Sequence, residues 1–201
     1  MKKQFAADQA YERIRDAIYD GVYPSGERLT EVQMAEELQM SRTPVREALK
    51  RLGEEGLLKN KRVLAPTEKE FIDTFDVRRL LEGHAAARAA AYMTIPEKEE
   101  LRACVTHAEN GQLEERMYWN KQFHEKLVTA SGNEVLIEAV SRMEAIVYLF
   151  RQTVVYEQRP GLLEEHHAIC DAIDAGDREL ADTRMKDHLD NDLQFALRMR
   201  K

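Results

Sequence analysis

Hydrophobic residues recur every three or four positions along most of this chain, the spacing that places them on one face of an α-helix. The first such stripe predicts a helix over residues 8–20. A short second run begins behind Thr30, a good N-cap, and ends near Gln39. The third begins behind Ser41, has a proline in its first turn, where the missing N–H costs nothing, and ends at about Glu55 before a glycine. Two short helices separated by a tight break are typical of a helix-turn-helix.

An extended stretch from Leu57 to Pro66 follows the third predicted helix and has a polar centre. This pattern predicts a small β-hairpin, or wing. A helical pattern then restarts and continues nearly to the C-terminus. We therefore expect two domains, residues 1–66 and residues 67–201.

Beyond this boundary, the apolar spacing and the Pro and Gly positions predict about six helices. Their expected ranges are 68–93, 96–109, 113–131, 134–156, 161–175 and 177–199. Connections this short favour antiparallel neighbours packed into a bundle. The predicted fold class is mainly α: an N-terminal winged helix-turn-helix domain followed by an all-helical bundle of about six helices.

Composition narrows the classes of protein to which the chain can belong. Its 201 residues are 43% hydrophobic, which is enough for a core. No apolar run approaches the roughly 20 residues of a membrane-spanning helix. Asp8 interrupts the N-terminus before a secretory signal could form. These features predict a cytoplasmic protein without a membrane partner. Cys104 and Cys170 fit neither a disulfide framework nor a Cys-x-x-Cys pair, so we expect them to be buried.

The net charge of −7 argues at first against a nucleic-acid partner, but the charge is unevenly distributed. Up to Lys69 the chain has 13 basic and 12 acidic residues, and beyond it 17 basic and 25 acidic residues. Residues 41–62 contain seven basic and three acidic residues. This segment is a candidate anion-binding surface, with ordinary solvated helix charges as the alternative.

A long motif covers the second and third predicted helices. It contains Ser-Arg-Thr-Pro-Val-Arg-Glu-Ala-Leu at residues 41–49, preceded by Ile18, Gly21, Tyr23, Gly26, Arg28, Leu29, Glu31, Ala35 and Leu38 and followed by Arg51, Leu52, Glu55, Gly56 and Leu57. This string resembles the winged helix-turn-helix of the GntR family of bacterial transcription regulators. The resemblance implies a module that reads double-stranded DNA.

The start of the third predicted helix is the candidate DNA-contacting surface. A helix N-terminus offers free N–H groups to a phosphate, and Ser41 adds a hydroxyl. Arg42 and Arg46 are four residues apart, hence on one face, and a guanidinium pairs bidentately with guanine in the major groove. Thr43 and Pro44 are placed to reach a phosphate or a thymine methyl group.

Five further basic residues are candidates for positioning contacts to phosphates, or else are solvated. They are Lys50, Arg51, Lys59, Lys61 and Arg62. The family usually has a longer wing with a glycine at its tip, whereas only residues 59–62 join the two edges here. We therefore expect a stubby hairpin or none, without insertion into the minor groove.

Three histidines fall on apolar stripes of three different predicted bundle helices. His124 shares its stripe with Asn120, His166 rather than His167 faces inward, and His188 lies on the stripe of the last helix. Burying three imidazoles is costly unless each finds a partner, and one shared cation would serve all three. The alternative is three separately hydrogen-bonded or semi-exposed histidines.

The motifs around these histidines resemble the ligand-binding C-terminal domain of the FadR subgroup of GntR regulators. They are Asn120-x-x-Phe123-His124, the run from Glu165-His166 to Gly176-Asp177, Met185-x-x-His188-Leu189, and Val77-Arg78-x-x-Leu81-Glu82. In metal-binding members of the subgroup, one Asp and three His hold a divalent cation beside a cavity for a small carboxylate effector. The resemblance therefore implies a metal site at the matching positions, Asn120, His124, His166 and His188, with Asn in place of the Asp.

Three imidazoles and one amide suit Zn²⁺, Ni²⁺ or another transition metal of borderline softness. Arg78 lies near Phe71 and Phe75 on a face that can point to the same cavity. Its guanidinium is the candidate partner of an effector carboxylate, with a surface or interhelix salt bridge as the alternative.

These patterns favour a DNA-binding transcription regulator, a repressor, that senses a small organic acid at a bound divalent metal. A homodimer is expected because one helix-turn-helix reads only a half-site of a palindromic operator. The alternatives are a helical metal-dependent enzyme and an adaptor protein. The enzyme alternative lacks a general base, since Glu165 adjoins His166 but lies off its face, and no nucleophile constellation is present.

Overall fold

The computed structural model describes residues 2–148 and 158–199, and only the backbone of residues 2–4. The chain divides into two compact units, Met1–Thr67 and Glu68–Lys201. Each unit has its own buried hydrophobic residues. None of the described helices is long and apolar enough to cross a membrane.

Three helices form the first unit: α1 (Lys2–Tyr19), α2 (Glu31–Leu38) and α3 (Arg42–Glu54). Thr30 caps α2 as predicted, because its hydroxyl accepts a hydrogen bond from the backbone N–H of Gln33 at 3.2 Å. Gln39 adopts the left-handed conformation, with φ 56°, and ends α2. The tight break between α2 and α3 that the sequence predicts is therefore present.

Two short strands follow α3, namely β1 (Leu58–Lys59) and β2 (Arg62–Val63), and they pair antiparallel. Asn60 and Lys61 connect them, and their φ angles of 53° and 60° are those of a type I′ turn. Backbone hydrogen bonds from Leu29 to Lys61 and from Val63 to Glu27 tie this hairpin to the segment before α2. Of the two alternatives that the sequence left open, the stubby hairpin is the one that forms.

The second unit is a helical bundle. Its helices are α4 (Glu68–Tyr92), α5 (Ile95–Asn110), α6 (Leu113–Ala130), α7 (Glu134–Ser141), α8 (Leu162–Asp174) and α9 (Arg178–Met199). Helix α4 packs along α9, and α5 packs against α6 and α8. Large apolar side chains from these helices, such as Phe71, Phe123, Ile169 and Leu189, form a continuous core. Cys104 and Cys170 are buried and free, as predicted.

One predicted helix of the bundle is interrupted. Helix α7 ends at Ser141, a turn occupies residues 142–143, and the chain is helical again over residues 144–148. The hydroxyl of Ser141 donates to the carbonyl of Glu138 at 2.8 Å, a local bond that competes with the helical pattern. The prediction of one helix over 134–156 is therefore wrong at this point, and its part from 149 to 156 lies outside the described residues.

Candidate functional site

The first turn of α3 presents an exposed, basic surface in the N-terminal unit. Ser41 occupies the N-cap position, but its hydroxyl makes no capping hydrogen bond. The side chain of Arg42 is 68% exposed, and its nearest carboxylate is that of Glu31 at 3.9 Å. Arg46 is exposed, and within the described part of the chain no hydrogen bond or ion pair engages it. The helix end, a hydroxyl and two guanidinium groups therefore lie together and accessible.

The other predicted DNA-contacting residues differ in how deeply their side chains are buried and in whether other residues bind them. Pro44 is buried, so its ring packs inside the unit and is not available to a ligand, while Thr43 is half-buried. Lys50 pairs with Glu54, and Arg51 pairs with Glu55 and stacks on the ring of Tyr11. At the hairpin, Lys59 is exposed, Lys61 lies 3.7 Å from Glu31, and Arg62 donates to the carbonyl of Gly26 at 2.9 Å. Arg51 thus serves mainly to hold α3 against α1.

Three buried imidazoles meet in the centre of the helical bundle. Helices α6, α8 and α9 supply His124, His166 and His188, and each side chain is at least nine-tenths buried. The Nε2 atom of His188 lies 3.3 Å from Nε2 of His166 and 3.4 Å from Nε2 of His124. His167 instead bonds Glu109 at the surface, as the choice of His166 over its neighbour predicts.

Carboxylates hold the outer nitrogens of two of these rings. Glu82, from α4, approaches Nδ1 of His124 at 2.8 Å, and Glu165 approaches Nδ1 of His188 at 2.9 Å. Each carboxylate is in turn bonded to an arginine: Arg78 donates to Glu82 at 2.6 Å, and Arg159 donates to Glu165 at 2.5 Å. A proton on each Nδ1 leaves the lone pairs of the Nε2 atoms directed at one another.

The charge states follow from burial and from these pairs. Burial lowers the pKa of His124 to about 4, although the charge of Glu82 acts in the opposite direction. Burial, followed by the neighbouring imidazoles, holds the pKa of His166 well below its usual value. Burial alone would raise the pKa of Glu82, but the charges of Arg78 and His124 outweigh it and hold that pKa well below its usual range. At neutral pH the imidazoles of His124 and His166 are neutral and Glu82 is ionised.

Asn120 adds an unsatisfied oxygen near this cluster. It precedes His124 by one turn on α6, and its side chain is buried. Its Oδ1 is the one buried side-chain polar atom of the described residues that has no hydrogen-bond partner. Leaving a buried carbonyl oxygen without a hydrogen-bond partner costs about 1–3 kcal/mol. The unpaired Oδ1 of Asn120 is therefore a reason to expect a bound cation or a hydrogen-bond donor.

The arrangement of these donors fits a metal ion. Neighbouring nitrogens on one tetrahedral zinc ion lie roughly 3.3 Å apart, given Zn–N distances near 2.0–2.1 Å. The separations of His188 from the other two imidazoles match this spacing. Two Nε2 lone pairs directed at each other at 3.4 Å repel unless a proton or a cation lies between them. The three imidazoles are a donor set for a transition metal, and Asn120 carries an unpaired oxygen one helical turn before His124.

A cavity of about 270 Å³ adjoins the imidazole cluster. Arg78, Glu82 and His124 line one part of it. Half of the remaining described lining residues are apolar, namely Val128, Ile137, Val140 and Val147, and half are polar or acidic, namely Thr129, Ser141, Glu125 and Glu144. Arg78, the predicted effector partner, is therefore on the cavity wall, but it is also buried and paired with Glu82. His124 belongs to both the cluster and the cavity.

Sequence reasoning missed the residues that support the imidazoles. Glu82 continues the apolar stripe of Phe71, Phe75 and Arg78 on α4, so an Arg–Glu pair four residues apart on an inward face was a usable signal. Glu165 was placed off the face of His166, yet it contacts His188, which no local spacing could show. Arg159 also binds Asp192 at 2.7 Å, and Asp192 lies 3.6 Å from Nε2 of His188.

His84 and His107, which match no metal motif, do not join the cluster. His84 is exposed. His107 stacks on Trp119 with their ring centres 4.5 Å apart.

Two family models match this chain, one in each unit. The model described as bacterial regulatory proteins, gntR family, matches residues 6–62, and the FCD domain model matches residues 73–191. The match of the FCD domain covers every residue of the imidazole cluster and Asn120. Both the motif at the start of α3 and the buried histidines therefore lie in regions that the family models describe.

Curated proteins that resemble this chain are transcription regulators. The "Probable D-xylose utilization operon transcriptional repressor" of Paenarthrobacter nicotinovorans is 31% identical over 194 residues, covering 91% of this chain and 85% of its own. The "Gluconate operon transcriptional repressor" of Bacillus subtilis (strain 168) is 28% identical, covering 85% and 76%. These similarities favour a regulator and give no support to the alternative of a metal-dependent enzyme.

Solved structures share the fold over nearly the whole chain. "E. coli McbR/YncC" superposes with a TM-score of 0.77 at 22% identity and covers 98% of this chain and 99% of its own. A GntR family member from Pseudomonas syringae pv. tomato gives a TM-score of 0.59 at 23% identity and covers 98% and 86%. At these identities the comparison concerns the fold alone.

Proposed function

The chain belongs to the GntR family of bacterial transcription regulators with an FCD-type C-terminal domain, and on that premise we propose that it is a DNA-binding repressor that senses a small organic acid at a bound divalent metal. The observation that carries the proposal is the convergence of three buried imidazole nitrogens, one of them from His124 on the cavity wall, with Asn120 Oδ1 unpaired. Repression is supported by the names of the D-xylose and gluconate relatives.

The proposed metal ligands are Nε2 of His124, His166 and His188 and Oδ1 of Asn120. A bound Zn²⁺ or Ni²⁺ would supply a Lewis-acidic centre that takes a carboxylate oxygen as a further ligand. Because Asn is neutral where the resemblance implies Asp, the site keeps more positive charge. This charge favours an anionic effector.

The cavity beside His124 is the proposed effector site. Its volume of about 270 Å³ suits a small metabolite, and its described lining combines apolar side chains with a cationic group from Arg78. An anion that approaches His124 would also meet the guanidinium of Arg78, which already donates to Glu82. Arg78 is therefore proposed to share its donors between Glu82 and the effector carboxylate.

The proposed DNA contacts come from the exposed start of α3 and from the hairpin. Ser41, Arg42, Thr43 and Arg46 would face the major groove, with Arg42 and Arg46 reading base edges. Lys50, Lys61 and Arg62 would contact phosphates. Pro44 is left out of this surface because it is buried. Two copies in a homodimer would read the two halves of a palindromic operator.

The experiment that tests the proposal uses the purified full chain. Elemental analysis should find about one equivalent of a transition metal, which the double substitution His124→Ala and His188→Ala should remove. A thermal-shift screen of small carboxylates should then give stabilisation that depends on that metal. A metal-free wild type that still responds to a carboxylate would contradict metal-dependent sensing, whereas His84→Ala, an exposed histidine, is the matched control.

A further inference from the structure

Two chains of hydrogen-bonded side chains, one buried and one partly exposed at its glutamate, have the same order: arginine, glutamate, imidazole. In one, Arg78 Nε donates to Glu82 Oε1 at 2.6 Å, and Glu82 Oε2 lies 2.8 Å from His124 Nδ1. In the other, Arg159 Nη2 donates to Glu165 Oε2, which lies 2.9 Å from His188 Nδ1. Neither glutamate belongs to the metal-ligand set proposed above.

The position of each carboxylate decides where its imidazole carries the proton. A neutral imidazole holds one proton, on Nδ1 or on Nε2, and only the unprotonated nitrogen can bind a metal. An acceptor at Nδ1 keeps the proton there and leaves the Nε2 lone pair free. In both rings Nε2 is the atom that faces the other imidazoles.

Glu82 cannot be replaced by glutamine without a conflict. Glu82 accepts from two partners, Arg78 and His124, while an amide has one oxygen and one NH₂ group. Arginine is only a donor, so the oxygen of a glutamine must face Arg78 and its NH₂ must face Nδ1 of His124. That contact would move the proton of the ring to Nε2, the metal-binding atom.

We propose that Glu82 and Glu165 are positioning residues that keep Nε2 of His124 and His188 unprotonated and aimed at the metal. The inference rests on the proposed metal site and assigns two residues to its support. Of the two, Glu82 makes the stronger case, since it is 1% exposed and its arginine is also buried. At His188, Arg159 Nη2 also lies 3.3 Å from Nδ1, farther than the carboxylate.

The test compares Glu82→Gln and Glu165→Leu with two controls in the full chain. Glu165→Leu removes the acceptor at Nδ1 of His188. Glu114→Gln removes an exposed carboxylate from α6, the helix of His124, and Glu164→Gln removes an exposed neighbour of Glu165. Zinc affinity is measured by competition with a chromophoric chelator. The visible spectrum of the Co²⁺ form reports the ligand geometry. Nitrogen-15 NMR of the imidazoles in the metal-free chain reports which nitrogen is protonated.

We expect Glu82→Gln to weaken zinc binding by about 10- to 100-fold and to move the His124 proton from Nδ1 to Nε2, with an altered Co²⁺ spectrum. The controls should stay within about twofold of the wild type. Zinc affinity and ring protonation unchanged in both variants would overturn the inference. If Glu82→Gln does not fold, Glu165→Leu decides by the same measurements, because it removes the acceptor at Nδ1 of His188.

The two proposals fail in different ways. A wild type that binds no transition metal would contradict the proposed function. The NMR comparison would still decide whether Glu82 sets the protonation of His124, because it is made without metal. A wild type that binds metal while both variants bind it equally well would contradict only the positioning role.

Discussion

At Asn120 the chain departs from the metal-binding motif that it resembles. Asn in place of the Asp of that motif removes a negative charge. Its amide oxygen is buried and unpaired. A carboxylate at the same place would bind a cation more strongly but would be a buried, uncompensated charge without one. On the proposed metal site, Asn at this position gives weaker metal binding than Asp and a more stable metal-free bundle.

Asn120→Asp is expected to tighten zinc binding by about tenfold, which is about 1.4 kcal/mol. The same change should lower the stability of the chelator-treated protein by roughly 2 kcal/mol, because a buried carboxylate is left unpaired. Asn120→Leu should do the reverse on both counts. Thermal unfolding with zinc and with chelator checks both signs, and equal shifts in the two conditions would contradict a ligand role for Asn120.

Arg46 is the basic residue of α3 that the fold leaves most available. Arg46→Ala is expected to weaken operator binding by about 1–3 kcal/mol, as the loss of one base or phosphate contact does. Arg178→Ala, which removes an exposed arginine from the other unit, is the control. Fluorescence anisotropy with an operator duplex selected from random sequences measures both, and unchanged binding by Arg46→Ala argues against the α3 interface.

At the scale of single residues, the sequence predicted the site residues that follow helical spacing and missed those that do not. His124, His166 and His188 were found because helical spacing puts each on an apolar face. Glu165 was misplaced because its partner His188 comes from a different helix, and contacts between helices have no local spacing. The spacing of Arg78 and Glu82, four residues apart on α4, could have predicted their pairing. The sequence analysis instead gave Arg78 an effector carboxylate or a surface or interhelix salt bridge.

The wing is the element in which local backbone conformation has a measurable cost. Lys61 has φ 60°, a region in which residues other than glycine are strained, and a type I′ turn prefers glycine at this position. Lys61→Gly should therefore stabilise the N-terminal unit by about 0.5–1 kcal/mol. Lys59→Gly, within β1, should destabilise it. Thermal unfolding of both variants gives the test, and a destabilised Lys61→Gly contradicts the turn assignment.

Helix α5 begins with a capping box whose strength depends on pH. The backbone N–H of Thr94, and then its hydroxyl, bond the carboxylate of Glu97 and lower its pKa. A lowered pKa in the folded state stabilises the fold above the usual pKa, near 4.3, and the effect is lost as pH falls through the folded value.

Glu97→Gln should thus lower the melting temperature at pH 7, and its difference from the wild type should disappear as the pH falls below the folded pKa of Glu97. Glu99→Gln, an exposed residue of the same helix, is the control at both ends of the pH series. The measurement is thermal unfolding followed by circular dichroism. A difference that persists at the acidic end would mean that the amide costs stability for a reason other than charge.

Helix ends with a cap or a glycine were predictable, whereas interior breaks and extensions were not. α2 follows Thr30 as predicted, but α1 begins at Lys2 rather than near residue 8, because Phe5, Ala6 and Ala7 extend the helix without a start signal. Helix α5 begins at Ile95, one residue before the predicted start, since Thr94 is its cap. The turn at 142–143 could not be predicted, because the apolar residues before it have the spacing of a continuous helix.

At the scale of the whole molecule, the uneven distribution of charge along the chain determines how strongly DNA is attracted without regard to sequence. The first 69 residues are nearly neutral and the remainder carries an excess of eight acidic charges. General attraction to the phosphate backbone is therefore weak, so on the proposed function the affinity comes from placed arginines and from the proposed dimer.

We expect weak binding to duplexes that lack an operator, and a loss of operator affinity with salt of about 0.9 logarithmic units per phosphate contact for each tenfold rise in salt. Anisotropy titrations from about 50 to 200 mM salt on operator and scrambled duplexes measure both quantities. Tight binding to scrambled DNA near physiological salt would contradict the conclusion that affinity depends on a few contacts.

His124 points one ring nitrogen toward the other imidazoles, bonds a carboxylate with the second, and also lines the cavity. A single side chain is thus common to the metal-ligand set and to the effector site of the proposed function. On that proposal, an effector in the cavity has an effect only in molecules that already hold a metal ion. The regulator then works as a coincidence detector, and metal starvation silences its response to a metabolite that is still abundant.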